Sequence, residues 1–332
     1  MERAVRHLGR MSNPILRPAW WQPENRVTPE SVFLDRRRFL GRLGLIGAGL
    51  SAAPRILGAE AAAAAGAAGG GDPYARGYPH ARAKDFDPGW KLTDEKVAST
   101  YNNFYEFSLR KDVHRHVAKF ETAPWKVEIG GLVEKPMAID AAELIAKMPL
   151  EERVYRFRCV EAWAMVVPWT GFSFAKLAAL VQPKSEAKFV RFVTAAKPEQ
   201  MPGIRENPEY PWPYFEGLRM EEALHPLTMV VTGIYGKPLA KQFGAPLRIV
   251  VPWKYGYKSP KSVVKIEFIA TQPKTFWETL IPREYPFESN VDPEVPHPRW
   301  SQATERMIDS GDRVKTKKYN GYGDQVAKLY GA

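Results

Sequence analysis

A single cysteine, Cys159, stands in a chain of 332 residues, so no disulfide can form within it. No run of about 20 consecutive apolar residues occurs, which is the length a helix needs to cross a bilayer. The fingerprints of common nucleotide sites are missing too: no G-x-G-x-x-G follows a strand-like run, and no G-x-x-x-x-G-K-[ST] is present. The formal charge is +11, but about half of the excess falls in residues 1–70, which hold 10 Lys/Arg and 5 Asp/Glu. The remaining basic residues do not gather into a stripe interleaved with aromatics, so nucleic-acid binding is not expected. What the chain does have is 45% hydrophobic and 12% aromatic residues, enough to build a sizeable core.

The first part of the chain reads as an address. Arg36-Arg37 is followed by Arg38, Phe39 and Leu40, then by a Gly-rich apolar stretch to about Ala53 and a nearly pure Ala/Gly segment from Ala59 to Gly71. A charged region, a modest apolar region and small residues are the layout of a twin-arginine export signal. Residues 1–60 are therefore assigned to an N-terminal extension plus signal, with cleavage near 59–70, and Met11 is an alternative start. The apolar part is short and interrupted by Arg42, so a retained membrane anchor is the weaker reading, and a periplasmic chain without stable membrane insertion is expected.

Beyond the signal, residues 72–93 form a Gly-, Pro- and charge-rich extended arm, and 94–332 form one catalytic domain. Alternation predicts strands over 125–133, 153–159, 188–194, 227–235, 247–252 and 263–271. Short helices are predicted over 94–98, 141–147 with Asp140 as N-cap, 174–180 with Ser173 as cap, and 220–226. The proline-rich stretch 198–219 is predicted to be an irregular loop. Many short strands without long alternating helices exclude a doubly wound sheet and give an α+β, strand-rich domain.

Two constellations carry chemistry. Cys159 ends a predicted strand with Arg156 and Arg158 beside it and Glu161 and Trp163 after it. Flanking guanidinium groups favour the thiolate, the form that attacks or ligates; the local residues do not choose between a nucleophile and a soft-metal ligand. Arg248, Lys254, Lys258 and Lys261, with Gly256 and Ser259 in a turn-rich stretch, suit a phosphate. His114 and His116 stand in a charged stretch and read as a solvated loop.

Several ordered motifs then carry a resemblance. Tyr101–Phe107 (YNNFYEF), Arg158–Trp163 (RCVEAW), Met165–Trp169 (MVVPW), Pro198–Pro202 (PEQMP), His225–Thr228 (HPLT), Val250–Gly256 (VVPWKYG) and His297–Arg306 (HPRWSQATER) resemble the MsrP (YedY) family over about residues 94–310. The resemblance implies a sulfite-oxidase-type fold and one molybdenum-molybdopterin cofactor per chain, with Cys159 as protein ligand to the metal. It implies cofactor contacts from Asn102, Tyr105, Glu106, Thr194, Arg248, Ser259, Pro260 and Lys261. Where the family can place Asn before Gly-Ala-Pro, this chain has Phe243. The implied reaction is periplasmic reduction of protein-bound methionine sulfoxide by oxygen-atom transfer. Electrons would come from the quinone pool through a haem-containing membrane subunit, MsrQ. A sulfite dehydrogenase-like enzyme, or another sulfoxide or N-oxide oxidoreductase of the same fold, is the alternative; an exported binding protein with an inert thiol is a third reading.

Overall fold

Residues 72–75 and 77–331 are described by the computed structural model; the twin-arginine segment, the Ala/Gly stretch and Met11 lie outside them. The first six strands are β1 (Lys126–Gly131), β2 (Met137–Asp140), β3 (Glu151–Cys159), β4 (Trp163–Ser173), β5 (Phe189–Thr194) and β6 (Phe215–Arg219). They are followed by β7 (Met229–Ile234), β8 (Lys237–Pro238), β9 (Arg248–Val250), β10 (Val263–Ile269), β11 (Thr304–Met307) and β12 (Arg313–Lys315). One sheet has the order β2-β1-β10-β5-β6 and mixes a parallel β1–β10 pair with antiparallel neighbours. The other is centred on β4. Along one edge β4 pairs with β3 over its whole length, from Gly171 opposite Glu151 to Trp163 opposite Cys159. Its other edge is shared by β11, parallel at Trp163 and Ala164, and by β7, antiparallel from Trp169 onward. This is the expected α+β, strand-rich architecture.

Local chemistry explains the elements that the sequence predicts. β1 alternates buried Val127 and Ile129 with exposed Lys126 and Glu128, the pattern of a half-buried strand. Asp140 caps the helix Ala141–Lys147 by accepting from the Ala142 N–H at 2.8 Å, and Asp94 caps Glu95–Thr100 through the N–H groups of Lys96 and Val97. Ser173 precedes the helix Phe174–Val181, but its side chain makes no capping bond, so this cap is corrected. Instead the Phe174 N–H donates to the Thr228 carbonyl at 2.9 Å.

Two further corrections follow from burial. The stretch 198–219 is not an irregular loop throughout: it holds the helix Pro202–Glu206 and the strand β6. Pro202 sits in the first turn, where its missing N–H costs nothing. β4 has no counterpart among the predicted strands, because every residue from Trp163 to Phe172 is buried and alternation vanishes. Within the arm, the Ala75 N–H donates to Asp72 O at 3.0 Å and Lys84–Phe86 forms a 3₁₀ turn; the chain meets β3 through Ala83 N–H to Glu152 O at 2.8 Å and Glu152 N–H to Ala81 O at 2.9 Å.

Candidate active site

β3 and β4 form a hairpin whose tip is Val160-Glu161-Ala162, with Cys159 as the last residue of β3 and opposite Trp163. The turn needs a left-handed residue, and Ala162 supplies it at φ 60°. The hairpin therefore presents Cys159, Glu161 and Trp163 together at one end of the sheet. Cys159 Sγ accepts from the Glu161 backbone N–H at 3.4 Å and from Asn103 Nδ2 at 3.4 Å. Glu161 gathers the surrounding donors: Lys111 Nζ at 2.6 Å, Trp163 Nε1 at 3.0 Å, Asn103 Nδ2 at 3.1 Å and the Tyr105 hydroxyl at 3.4 Å. Burial alone would raise the Glu161 carboxyl, but Lys111 with Trp163 and Asn103 outweighs it and holds the group below the usual carboxylate range.

The expected effect of Arg156 and Arg158 on the thiol is corrected. Burial pushes Cys159 up to about 12, with the Glu161 charge adding to the rise. The arginines oppose this little because both are engaged by the buried Glu305 of β11: Arg158 Nε reaches Glu305 Oε2 at 2.6 Å, and Arg156 pairs with Oε1. A thiol in this position becomes a thiolate when a cation binds it, since metal coordination displaces the proton.

The basic stretch divides into two pairs. Lys254 and Lys258 are not free for phosphate, as the sequence had suggested: each is fully buried and paired, Lys254 with Glu222 at 2.6 Å and Lys258 with Glu216 at 2.7 Å. Arg248 and Lys261 differ. Neither forms an ion pair with a carboxylate among the described residues. Arg248 donates only to main-chain carbonyls, of Phe243 at 3.0 Å, Ser259 at 2.9 Å and Ile249 at 3.3 Å, and burial brings its guanidinium down to about 9. Lys261 turns its Nζ to the Asn103 carbonyl; burial, with Arg248 adding to it, lowers it well below an ordinary lysine.

The other predicted contacts collect around this pair and the hairpin tip. Glu106 is buried and accepts from Thr194 Oγ1 at 3.3 Å. Burial pushes its carboxyl up to about 7. Tyr105 leans on Trp277 at a centroid distance of 5.3 Å. Ser259 Oγ accepts from the Val251 N–H at 3.1 Å, and the Pro260 carbonyl accepts from the Ile249 N–H at 3.0 Å, so these two residues shape the turn that precedes Lys261. Asn102 Nδ2 donates to Ala98 O at 3.2 Å, while its Oδ1 is buried with no partner. Phe243 packs its ring against Trp169 at 6.2 Å and reaches Arg248 only through its carbonyl. His114 and His116 gather no third ligand; no group of three or more His, Cys, Asp or Glu able to hold a metal occurs among the described residues.

Sequence reasoning missed Asn103, Lys111, Trp300, Gln302 and Glu305. Asn103 and the last three lie in the motifs YNNFYEF and HPRWSQATER, so a signal existed, but their contact with residues 158–161 is long-range and not visible in spacing. Two surface hollows, of about 380 Å³ over β1 and β10 and about 340 Å³ beside Trp90 and Lys315, are not lined by Cys159.

The donor set fits an anionic cofactor carrying a soft metal: one thiol at a hairpin tip, two cations without carboxylates, and a buried amide oxygen without a partner. Residues 114–277 match the family model described as the oxidoreductase molybdopterin binding domain. The chain is 48% identical over 313 residues to the protein-methionine-sulfoxide reductase catalytic subunit MsrP of Burkholderia mallei, covering 93% of this chain and 92% of that one. It is 47% identical to the protein of the same name from Xanthomonas axonopodis pv. citri, covering 93% and 94%. Among solved structures, the sulfane dehydrogenase SoxCD of Paracoccus pantotrophus aligns at TM-score 0.44 and 17% identity, covering 69% of this chain and 71% of that chain. The chain belongs to the MsrP family, and is a molybdopterin-dependent oxidoreductase with a sulfite-oxidase-type domain.

Proposed function

We propose that this enzyme reduces methionine sulfoxide within oxidised periplasmic proteins, at a molybdenum-molybdopterin centre ligated by Cys159. The observation that carries the reading is the sole cysteine at the β3–β4 tip, near Arg248 and Lys261, which have no carboxylate partner among the described residues. When bound, the cofactor supplies the two-electron chemistry that removes the sulfoxide oxygen and leaves a thioether. Arg248 and Lys261 would hold its phosphate, with Thr194, Glu106, Asn102 and the Ser259-Pro260 turn around it. Tyr105 is raised well above an ordinary phenol by burial, with the Glu161 charge adding to it, so its Oη keeps its proton at neutral pH. Glu161 stays a carboxylate beside it. Tyr105 Oη, held 3.4 Å from Glu161 Oε1, is thus a hydroxyl donor at the hairpin tip, suited to orienting a sulfoxide oxygen. The aromatic group Tyr214, Phe276, Trp277 and Tyr285 packs beside Tyr105 and limits water.

Export by the twin-arginine route rests on Arg36-Arg37, and re-reduction by a haem-containing membrane subunit of the MsrQ type, fed by quinone, completes the cycle. No helix among the described residues is long and apolar enough to cross a membrane. Purified enzyme should carry close to one molybdenum per chain and repair methionine sulfoxide in an oxidised protein, and Cys159→Ala should abolish turnover. Turnover of sulfite alone would replace this reading with a sulfite dehydrogenase. Arg36-Arg37→Lys-Lys should hold the protein in the cytoplasm; its arrival in the periplasm would count against the export route.

A further inference from the structure

The segment His297–Arg306 wraps the hairpin tip, and its hydrogen bonds converge on one peptide group. Trp300 Nε1 donates to the Val160 carbonyl at 2.7 Å, and Gln302 Nε2 donates to the same oxygen at 2.7 Å. The N–H of that same peptide unit belongs to Glu161, and it donates to Cys159 Sγ at 3.4 Å. Both donors are held in place. His297 stacks on Trp300 with ring centroids 3.8 Å apart and planes 11° apart. Gln302 is buried, and its Oε1 accepts from Arg158 at 2.6 Å, which fixes the amide so that its nitrogen faces Val160.

Two donors on a carbonyl polarise the whole amide and make its N–H a stronger donor, because hydrogen bonds in a chain reinforce one another. A stronger N–H···S bond withdraws electron density from a coordinating thiolate, and hydrogen bonding to a ligand sulfur sets the potential of the metal it holds. We infer that Trp300 and Gln302 are positioning residues that tune the Cys159 ligand through the Val160–Glu161 peptide, raising the reduction potential of the metal. The inference rests on Cys159 being the metal ligand. It assigns a role to HPRWSQATER that neither substrate contact nor cofactor contact supplies: two side chains act on the sulfur without touching it.

The test uses the cofactor-loaded enzyme. Trp300→Phe keeps an aromatic ring over His297 and removes the indole N–H; Gln302→Met keeps similar bulk and removes the amide N–H without adding charge. At wild-type molybdenum content, each variant is expected to move the sulfur-to-metal charge-transfer band to longer wavelength and to lower the midpoint potential. The double variant should move both further. A merely structural role would change thermal stability or metal content and leave band energy and potential in place, and that result at full metal content overturns the inference. Should both variants fail to fold, pulsed magnetic resonance on ¹⁵N-labelled wild-type enzyme in its paramagnetic state gives the answer directly. Hyperfine coupling from the Glu161 amide supports the relay, and its absence overturns it. Cys159→Ser separates the two ideas: the cofactor's own sulfurs keep their bands there, so a spectrum unchanged from wild type removes the ligand assignment. A band that requires Cys159, yet stays fixed in both variants, removes only the relay.

Discussion

Glu106 is 3% exposed and has no cation within ion-pair distance among the described residues, so its carboxylate is poorly solvated in the cofactor-free chain. With its carboxyl pushed up to about 7 from the ordinary 4.5, the folded state binds the proton more tightly than the unfolded state. Stability from this group is complete below about 4.5 and is lost as pH rises through about 7. At about 1.4 kcal/mol per unit, the window is worth on the order of 3 kcal/mol. Glu106→Gln, which cannot ionise, should flatten the fall in urea midpoint between pH 4.5 and 7 in cofactor-free protein, and equal slopes in both proteins would rule the account out. Arg158 shows the limit of residue-level reading. Its place beside Cys159 suggested a thiolate-stabilising charge, but Glu305, 147 positions away, takes its Nε at 2.6 Å. No local pattern announces so distant a partner.

At the scale of elements, legibility followed burial. β1 and β5 alternate because one face of each meets the core, and the helix Ala141–Lys147 carries its cap in sequence. β4 is buried on both faces and holds Pro168 in its interior, so neither period nor propensity marks it as a strand. The helix Pro202–Glu206 was hidden among prolines, yet it positions the candidate site. Its Gly203 lies against the main chain of Tyr105 and Glu106, where an added Cβ would stand 2.1 Å from the Tyr105 carbonyl oxygen. The Ile204 N–H also donates to the Glu106 carbonyl at 3.2 Å. Because the obstacle is backbone, it cannot rotate away. Gly203→Ala should cost about 1–3 kcal/mol, as overpacking does, and should lower molybdenum content by moving residues 105–106. Wild-type metal content together with a wild-type unfolding midpoint would show that this contact does not position them.

Across the whole molecule, four cations of the basic stretch divide by whether a carboxylate meets them among the described residues. Lys254 and Lys258 were matched with Glu222 and Glu216, which removes the desolvation problem inside the chain. Arg248 and Lys261 were not, and after burial the Arg248 charge further lowers the affinity of Lys261 for a proton. Lys261 makes one hydrogen bond, to Asn103 O, whereas Arg248 satisfies several carbonyls, so Lys261 is the cleaner position to alter. Lys261→Met keeps an unbranched side chain against Gly244 while removing a half-buried ammonium that has no carboxylate partner among the described residues. Replacing an unpaired buried charge by an apolar group is stabilising when little hydrogen bonding is lost. Cofactor-free Lys261→Met should therefore unfold at the wild-type temperature or above it, by up to about 1 kcal/mol in stability. The cofactor-loaded proteins should show the opposite order. A ligand that binds only the folded state stabilises it in proportion to the logarithm of its affinity, so losing a phosphate contact should narrow the gap between loaded and cofactor-free unfolding temperatures. Thermal unfolding of the four preparations, with pterin and molybdenum measured in each, decides the matter. A variant less stable than wild type without cofactor, but with an unchanged gap on loading, would place Lys261 in the scaffold rather than in the phosphate site.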